Sequence, residues 1–309
     1  MTYSFRGRHF LDLADFSKGE LLFFLDVALD LKRRWLLGER PKPLGGKIVA
    51  LLFEKPSLRT RVSFEVATRQ LGGESFYLGP QEVGLGKREA VKDVALVLGR
   101  MVDAIVLRTF AHETVLEVAK YSGIPVINGL SDLHHPCQVL GDLLTVLEKR
   151  GTLNVKIVFV GDGNNVCHSW IVAAARLGLS LTVSTPERYR PLQSIWDWAQ
   201  EEAKKSGAQI VYEPDPRKAV KDADVVYTDV WASMGKEGEL EERLPFFRPY
   251  QVNQDLLALA SSDAMVMHCM PAHRGQEITD DVMDGPHSVV IDEAENRLHA
   301  QKAVLSLLL

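Results

Sequence analysis

The chain is poor in cysteine. It has three in 309 residues, Cys137, Cys167 and Cys269, far apart and without a Cys-x-x-Cys pair. No disulfide framework is expected, and an odd, scattered set of thiols fits a reducing, cytoplasmic setting. No apolar run approaches the ~20 residues that span a bilayer. Basic blocks are missing too: 36 Lys and Arg are interleaved with 41 Asp and Glu, for a net charge of −5. That balance argues against nucleic acid and against a membrane surface as partners. The N-terminal residues Met1-Thr2-Tyr3-Ser4-Phe5-Arg6 have no apolar stretch of the secretory kind and no Arg- and Ser-rich import pattern. Internal repeats and low-complexity tracts are not evident.

What is present is ordinary globular composition, 46% apolar and 25% charged, in a chain long enough for two domains. After an N-terminal helix near 18–37, short β-branched runs alternate with helical patterns. Strands are expected at 48–53, 75–78, 104–107 and 125–128, with helices near 92–100, 113–121 and 136–149. Gly151-Thr152 breaks the pattern. The alternation restarts with strands at 156–160, 180–184, 209–212, 225–228, 265–268 and 288–291. Helices fit at 166–177, 193–205, 254–260 and 294–308. Such alternation implies parallel sheets covered on both faces. The expected fold is therefore α/β with two doubly wound domains, divided near residue 150.

Several polar clusters fall just past carboxyl ends of expected strands, where open α/β sheets bind ligands. The first is Lys55-Pro56-Ser57-Leu58-Arg59-Thr60-Arg61, running into a helix with Val62, Val66, Ala67 and Leu71 expected on one face. A helix start offers unpaired N–H groups and the positive dipole end, Ser57 and Thr60 add hydroxyls, and Arg59 adds a planar fork that matches phosphate. An N-capped helix with surface arginines is the plainer alternative. The others are Arg108, His134-His135-Pro136-Cys137-Gln138, Asn164-Asn165, Asp229 and Cys269. Together they suggest an organised site, most simply in a cleft between domains.

Val160-Gly161-Asp162-Gly163-Asn164-Asn165-Val166 resembles a dinucleotide fingerprint only in part, because Val166 stands at the third glycine. An amide-bearing loop for a polar substrate fits better. Arg108, His135 and Gln138 could polarise a carbonyl. His268-Cys269-Met270-Pro271-Ala272-His273 has metal-ligand types, but its spacing matches no structural zinc site. Asp229 opens a long segment reaching Val252, a length usually functional or mobile. Asp229 suits a substrate ammonium, and Ser233 with the next backbone N–H suits a carboxylate, so an amino-acid substrate is indicated.

Ser57-Leu58-Arg59-Thr60-Arg61, His135-Pro136-Cys137-Gln138, Asp229 with Ser233-Met234-Gly235, and His268-Cys269-Met270-Pro271 jointly resemble the transcarbamoylase family over nearly the whole chain. The Cys269 motif and the Ser-Met-Gly loop resemble its ornithine-using branch. The resemblance implies a carbamoyl-phosphate domain over 1–149 and an ornithine domain over 150–292. The C-terminal helix, about 293–309, would return to the first. It implies carbamoyl transfer to L-ornithine, giving citrulline, without metal or organic cofactor, by a cytoplasmic homotrimer or assembly of trimers.

By the same resemblance Ser57, the Leu58 backbone, Arg59 and Thr60 hold phosphate. Arg108, His135, Gln138 and Arg297, with the Cys269 and Met270 carbonyls, hold the carbamoyl end, while Asn165, Asp229, Ser233 and Met234 hold ornithine. The catalytic set is Arg108, His135, Asp229 and Cys269. Gly84-Leu85-Gly86-Lys87-Arg88 stands where many bacterial relatives carry a Gln that enters the neighbouring subunit's site. A transcarbamoylase for another amine such as putrescine, and a non-catalytic binding paralogue, are the rival expectations.

Overall fold

The fold is that of a computed structural model, which describes residues 3–233, 235 and 237–309. By internal packing it divides into two units. One runs through Leu144 and takes back Glu295–Leu309; the other is Thr145–Ala294. The divisions fall inside two helices, Pro136–Arg150 and Val290–Leu308.

The first unit holds strands β1 (Ile48–Phe53), β2 (Glu74–Leu78), β3 (Ala104–Arg108) and β4 (Val126–Leu130), in the order β2-β1-β3-β4, all parallel. The central strands β1 and β3 are almost wholly buried, while edge strand β2 is half-exposed. That gradient follows composition: Ile-Val-Ala-Leu-Leu-Phe fills a position covered on both faces, and Glu-Ser-Phe-Tyr-Leu tolerates an edge. Ala50, Leu52, Ile105 and Leu107 pack with Val94, Leu98, Val115 and Val118 from the helices Val91–Leu98 and His112–Ser122. Gly99 ends the first of these helices, where an added methyl would lie 1.8 Å from the Ser122 carbonyl oxygen.

The second unit holds β5 (Lys156–Val160), β6 (Ser180–Ser184), β7 (Gln209–Tyr212), β8 (Val225–Thr228) and β9 (Met265–His268), ordered β7-β6-β5-β8-β9 and again all parallel. Val158, Val160, Val226 and Val266 anchor its core with Leu256, Leu257, Val282 and Met283. The helix Asn165–Leu177 is buried on nearly every side, as its Val-Ile-Val-Ala-Ala-Ala composition requires.

The α/β class, the two parallel sheets and the C-terminal helix agree with the sequence reading. Three local expectations need correction. Residues 288–291 do not form a strand: Ser288 makes one isolated bridge to Val266, and the last helix already begins at Val290. Of its Val-Val-Ile run only Val290 is buried, while Ile291 is exposed, and periodicity cannot tell a short apolar strand from a helix start. The 229–252 segment is not all loop, since Leu240–Phe247 is helical. Finally, the helix Leu58–Gln70 buries Thr60, Phe64, Ala67 and Thr68, whereas Val62 is exposed.

Candidate active site

In each sheet the chain leaves its first strand in one direction and returns to the other side. The switch lies between β1 and β3 in the first unit, and between β5 and β8 in the second. Loops diverge at such a point and leave a crevice at the carboxyl ends of the strands. Ser57, Thr60 and Arg108 fall at the first of these places and Asn165 and Asp229 at the second, whereas His135 and Gln138 follow β4 and Cys269 follows β9.

In the first unit, Ser57 follows β1 and caps the helix Leu58–Gln70. Its hydroxyl accepts from the Thr60 N–H at 3.2 Å. Arg59 is half-buried and Leu58 exposed in that first turn. Thr60 is fully buried and is the meeting point of two guanidinium groups. Arg108, at the end of β3, donates to its hydroxyl oxygen at 3.3 Å. Arg297, in the last helix, donates to the same oxygen at 2.7 Å. Two buried like charges on one neutral hydroxyl make a field that favours an anion. The Nε of Arg297 has no hydrogen-bond partner among the described residues.

His135 and Gln138 stand at the start of the helix Pro136–Arg150, each 1% exposed. Burial holds the His135 imidazole well below its usual pKa, and the nearby Arg297 and Arg108 charges push it further down. At neutral pH His135 is therefore an uncharged hydrogen-bonding group, and the arginines carry the charge. Gln138 donates its amide to Asp142 at 2.8 Å. Cys137 is buried, with its thiol pKa raised to about 12 by burial, and is not a nucleophile.

In the second unit the decisive residue is Asn164, one place before the expected Asn165. Its Oδ1 caps the helix Asn165–Leu177, accepting from the Val166 and Cys167 N–H groups. Its Nδ2 reaches across the switch point to Asp229 at 2.7 Å and lies 3.5 Å from the Ser233 hydroxyl. Asp229 is 6% exposed; burial raises its pKa, countered by His268 and by the Asn164 bond. A buried carboxylate at a strand end, held by the Asn164 amide and the Val230 backbone N–H, suits a cationic ligand group. Met234 lies outside the described residues. Gly163 has a packing role: an added methyl would meet the Pro191 nitrogen at 2.3 Å.

Past β9, Cys269 is half-buried and Met270 takes a left-handed φ of 52°. The Met270 N–H donates to His268 Nδ1 at 2.8 Å, and His268 Nε2 meets the fully buried Glu277 at 2.9 Å. Arg243, 4% exposed in the helix Leu240–Phe247, donates to Asp162 at 3.1 Å and to the Trp231 carbonyl at 3.0 Å. It thus ties the loop after β5 to the Asp229 segment. Sequence reasoning noted Asn164 only as part of a polar pair whose role went to Asn165, and it missed Asp142, Glu277 and Arg243. Only the Gln-x-x-x-Asp spacing of Gln138 and Asp142 was a local signal.

Comparison with known proteins adds the decisive observation. The model of the aspartate/ornithine carbamoyltransferase carbamoyl-P binding domain matches residues 8–148, and that of the Asp/Orn binding domain matches 153–308. The chain belongs to the aspartate/ornithine carbamoyltransferase family. It is 55% identical to an ornithine carbamoyltransferase of Pyrococcus horikoshii, over 100% of this chain and 98% of that one. An anabolic ornithine carbamoyltransferase of Pyrococcus furiosus is 53% identical over the same shares. The solved structure of ornithine carbamoyltransferase from Pyrococcus furiosus superposes with a TM-score of 0.97, covering 99% of this chain and 98% of that chain. Thr60, Arg108, His135 and Gln138 fall in the range matched by the carbamoyl-P binding model, whereas Arg297, Asn164 and Asp229 fall in that matched by the Asp/Orn binding model. No described helix is long and apolar enough to cross a membrane.

Proposed function

We propose that the protein transfers the carbamoyl group of carbamoyl phosphate to the δ-amine of L-ornithine, giving L-citrulline and phosphate. The carrying observation is the match of both family domains, with full-length relatives of that name at over half identity. The convergence of Arg108 and Arg297 on Thr60, and the buried Asp229 beside Asn164 and Ser233, support it from the chemistry. The word anabolic in the name of the Pyrococcus furiosus relative supports a place in arginine biosynthesis.

In this reading the Leu58 N–H, Ser57, Arg59 and Thr60 hold the phosphate at a helix N-terminus. Arg108, neutral His135 and Arg297 face the carbamoyl oxygen and the phosphate, and Gln138 with the Cys269 and Met270 carbonyls serves the carbamoyl amide. Asp229, Asn165, Ser233 and Met234 hold the α-amino and carboxylate groups of ornithine; Asn164 orients Asp229. The neutral δ-amine attacks the carbonyl carbon, the C–O bond to phosphate breaks with the electron pair leaving on phosphate, and the departing phosphate takes the proton that the amine loses. Arg108 and His135 stabilise the tetrahedral oxyanion, and Arg59 with Arg297 stabilises the leaving phosphate. Orientation and preorganised charge supply the acceleration. A homo-oligomer, built on trimers, and a cytoplasmic location complete the proposal; three free cysteines fit the latter.

The test is release of phosphate and citrulline in equal amounts, dependent on both substrates. Phosphate released without citrulline, or independently of ornithine, would overturn the assignment.

A further inference from the structure

We infer that Asp142 sets the polarity of Gln138, so that the glutamine meets the carbamoyl group as an acceptor and reads its amide. The inference rests on the carbamoyl phosphate reading given above. Gln138 and Asp142 are one turn apart on the helix Pro136–Arg150, 1% and 0% exposed. Residues at this spacing share a helix face. The Gln138 Nε2 donates to Asp142 Oδ1 at 2.8 Å.

An amide has a donor side and an acceptor side, and its two orientations differ little in shape. An ionised carboxylate only accepts. Asp142 therefore fixes the Gln138 nitrogen on its own side and turns Oε1 the other way. A carbamoyl group presents one acceptor, its oxygen, and one double donor, its NH2. Arg108 and Arg297 can only donate, so they match the oxygen and the phosphate; the NH2 needs acceptors, and Gln138 is the side chain placed to add one to the Cys269 and Met270 carbonyls. Gln138 Oε1 meets that need only while Asp142 holds the amide. With the amide reversed, donor would face donor.

The same helix turn packs against the helix that supplies Arg297. At Gly141, next to Asp142, an added methyl would lie 3.2 Å from the Arg297 Cα. The element that sets the Gln138 polarity thus rests directly on the element that carries the guanidinium. Asp142 is a positioning residue: it acts on the substrate through Gln138. The consequence is selectivity for an acyl phosphate that carries an amide over one that carries a methyl group.

The polarity can be reversed by exchange. In Gln138→Glu two carboxylates would face each other, and kcat/KM for carbamoyl phosphate should fall by roughly 100-fold. Adding Asp142→Asn supplies an N–H to the introduced carboxylate and leaves its other oxygen toward the ligand, so the double variant should recover at least about tenfold. Asp142→Asn alone frees the amide to turn, and should lower kcat/KM about tenfold. Inhibition by inorganic phosphate should stay within about threefold in every variant, because the phosphate cradle is not altered.

A double variant no better than Gln138→Glu, or an Asp142→Asn variant equal to wild type, would overturn the inference. So would loss of the cooperative melt in Asp142→Asn, which would make Asp142 a structural residue. Wild-type turnover in the same assay separates the two proposals. Without it the carbamoyl-transfer reading fails; with it, an unrecovered double variant refutes only the role of Asp142.

Discussion

Arg297→Met should damage activity without damaging the fold. Arg297 is 2% exposed and, with Arg108, donates to the Thr60 hydroxyl at 2.7 and 3.3 Å. The two donor nitrogens therefore lie within about 6 Å of each other. At an effective dielectric near 20, two unit charges at that separation repel by roughly 3 kcal/mol. The ligand-free protein bears this repulsion, and a bound phosphate reverses it. Removing Arg297 loses a bond with a charged donor, worth about 1.5–3 kcal/mol, and relieves a repulsion of at least that size, so the urea midpoint of the ligand-free variant should stay level or rise. With substrate, the lost charge-assisted bond is worth about 1.5–3 kcal/mol, which lowers kcat/KM for carbamoyl phosphate by roughly 10- to 150-fold. The field on His135 weakens as well, so its imidazole should titrate at higher pH by NMR. An unfolding midpoint that falls in step with activity would refute this reasoning, as would kcat/KM within about threefold of wild type.

Three further outcomes are expected. Asn164→Ala removes both the helix cap and the bond to Asp229; the KM for ornithine should rise at least about tenfold while that for carbamoyl phosphate holds, and equal changes in both would count against it. Gly163→Ala should cost about 2–3 kcal/mol by urea unfolding, since the methyl meets backbone of Arg190 and Pro191 that cannot swing aside; a stability change below about 0.5 kcal/mol is the contrary result. Lys302 is 2% exposed, its pKa pulled down to about 8 by burial and secondarily by Arg40. The unfolded chain holds this proton up to the ordinary lysine value of 10.5, so folding at lower pH forces a proton into a poor site. Stability should therefore be lowest below pH 8 and rise through about pH 10 from this group, and Lys302→Met should flatten that rise and add on the order of 3 kcal/mol near pH 7. Melts with identical pH slopes in the two proteins would contradict it.

The parts of the molecule that were legible in the sequence are those written locally. The strand-turn-helix at 48–70 carries its own cap, so the helix that starts after Ser57 could be read there directly. The alternation of β-branched runs with helical spacing pointed to two parallel sheets. Contacts that join distant residues left no such trace. Nothing near Thr60 announces that Arg108 and Arg297 both end on its hydroxyl. Asn164 and Asn165 are chemically identical in sequence, and only the fold shows that the first caps a helix and reaches Asp229. The 288–291 run is as apolar as a strand, yet only Val290 of it is buried and its backbone turns into the final helix. Leu240–Phe247 contains Pro245 and follows a glycine-rich stretch, which masked a helix held by the Arg243 ties to Asp162 and Trp231.

The most direct measurement is citrulline-type ureido product formed from carbamoyl phosphate with L-ornithine, putrescine, N-acetylornithine and L-aspartate offered as parallel acceptors. Turnover with L-ornithine, and little or none with the other three, is the predicted result, because the proposed function gives Asp229 and Ser233 a free α-amino acid end to hold. Preference for putrescine or L-aspartate would contradict the ornithine assignment while leaving the phosphate cradle standing, and no turnover with any acceptor would contradict carbamoyl transfer itself.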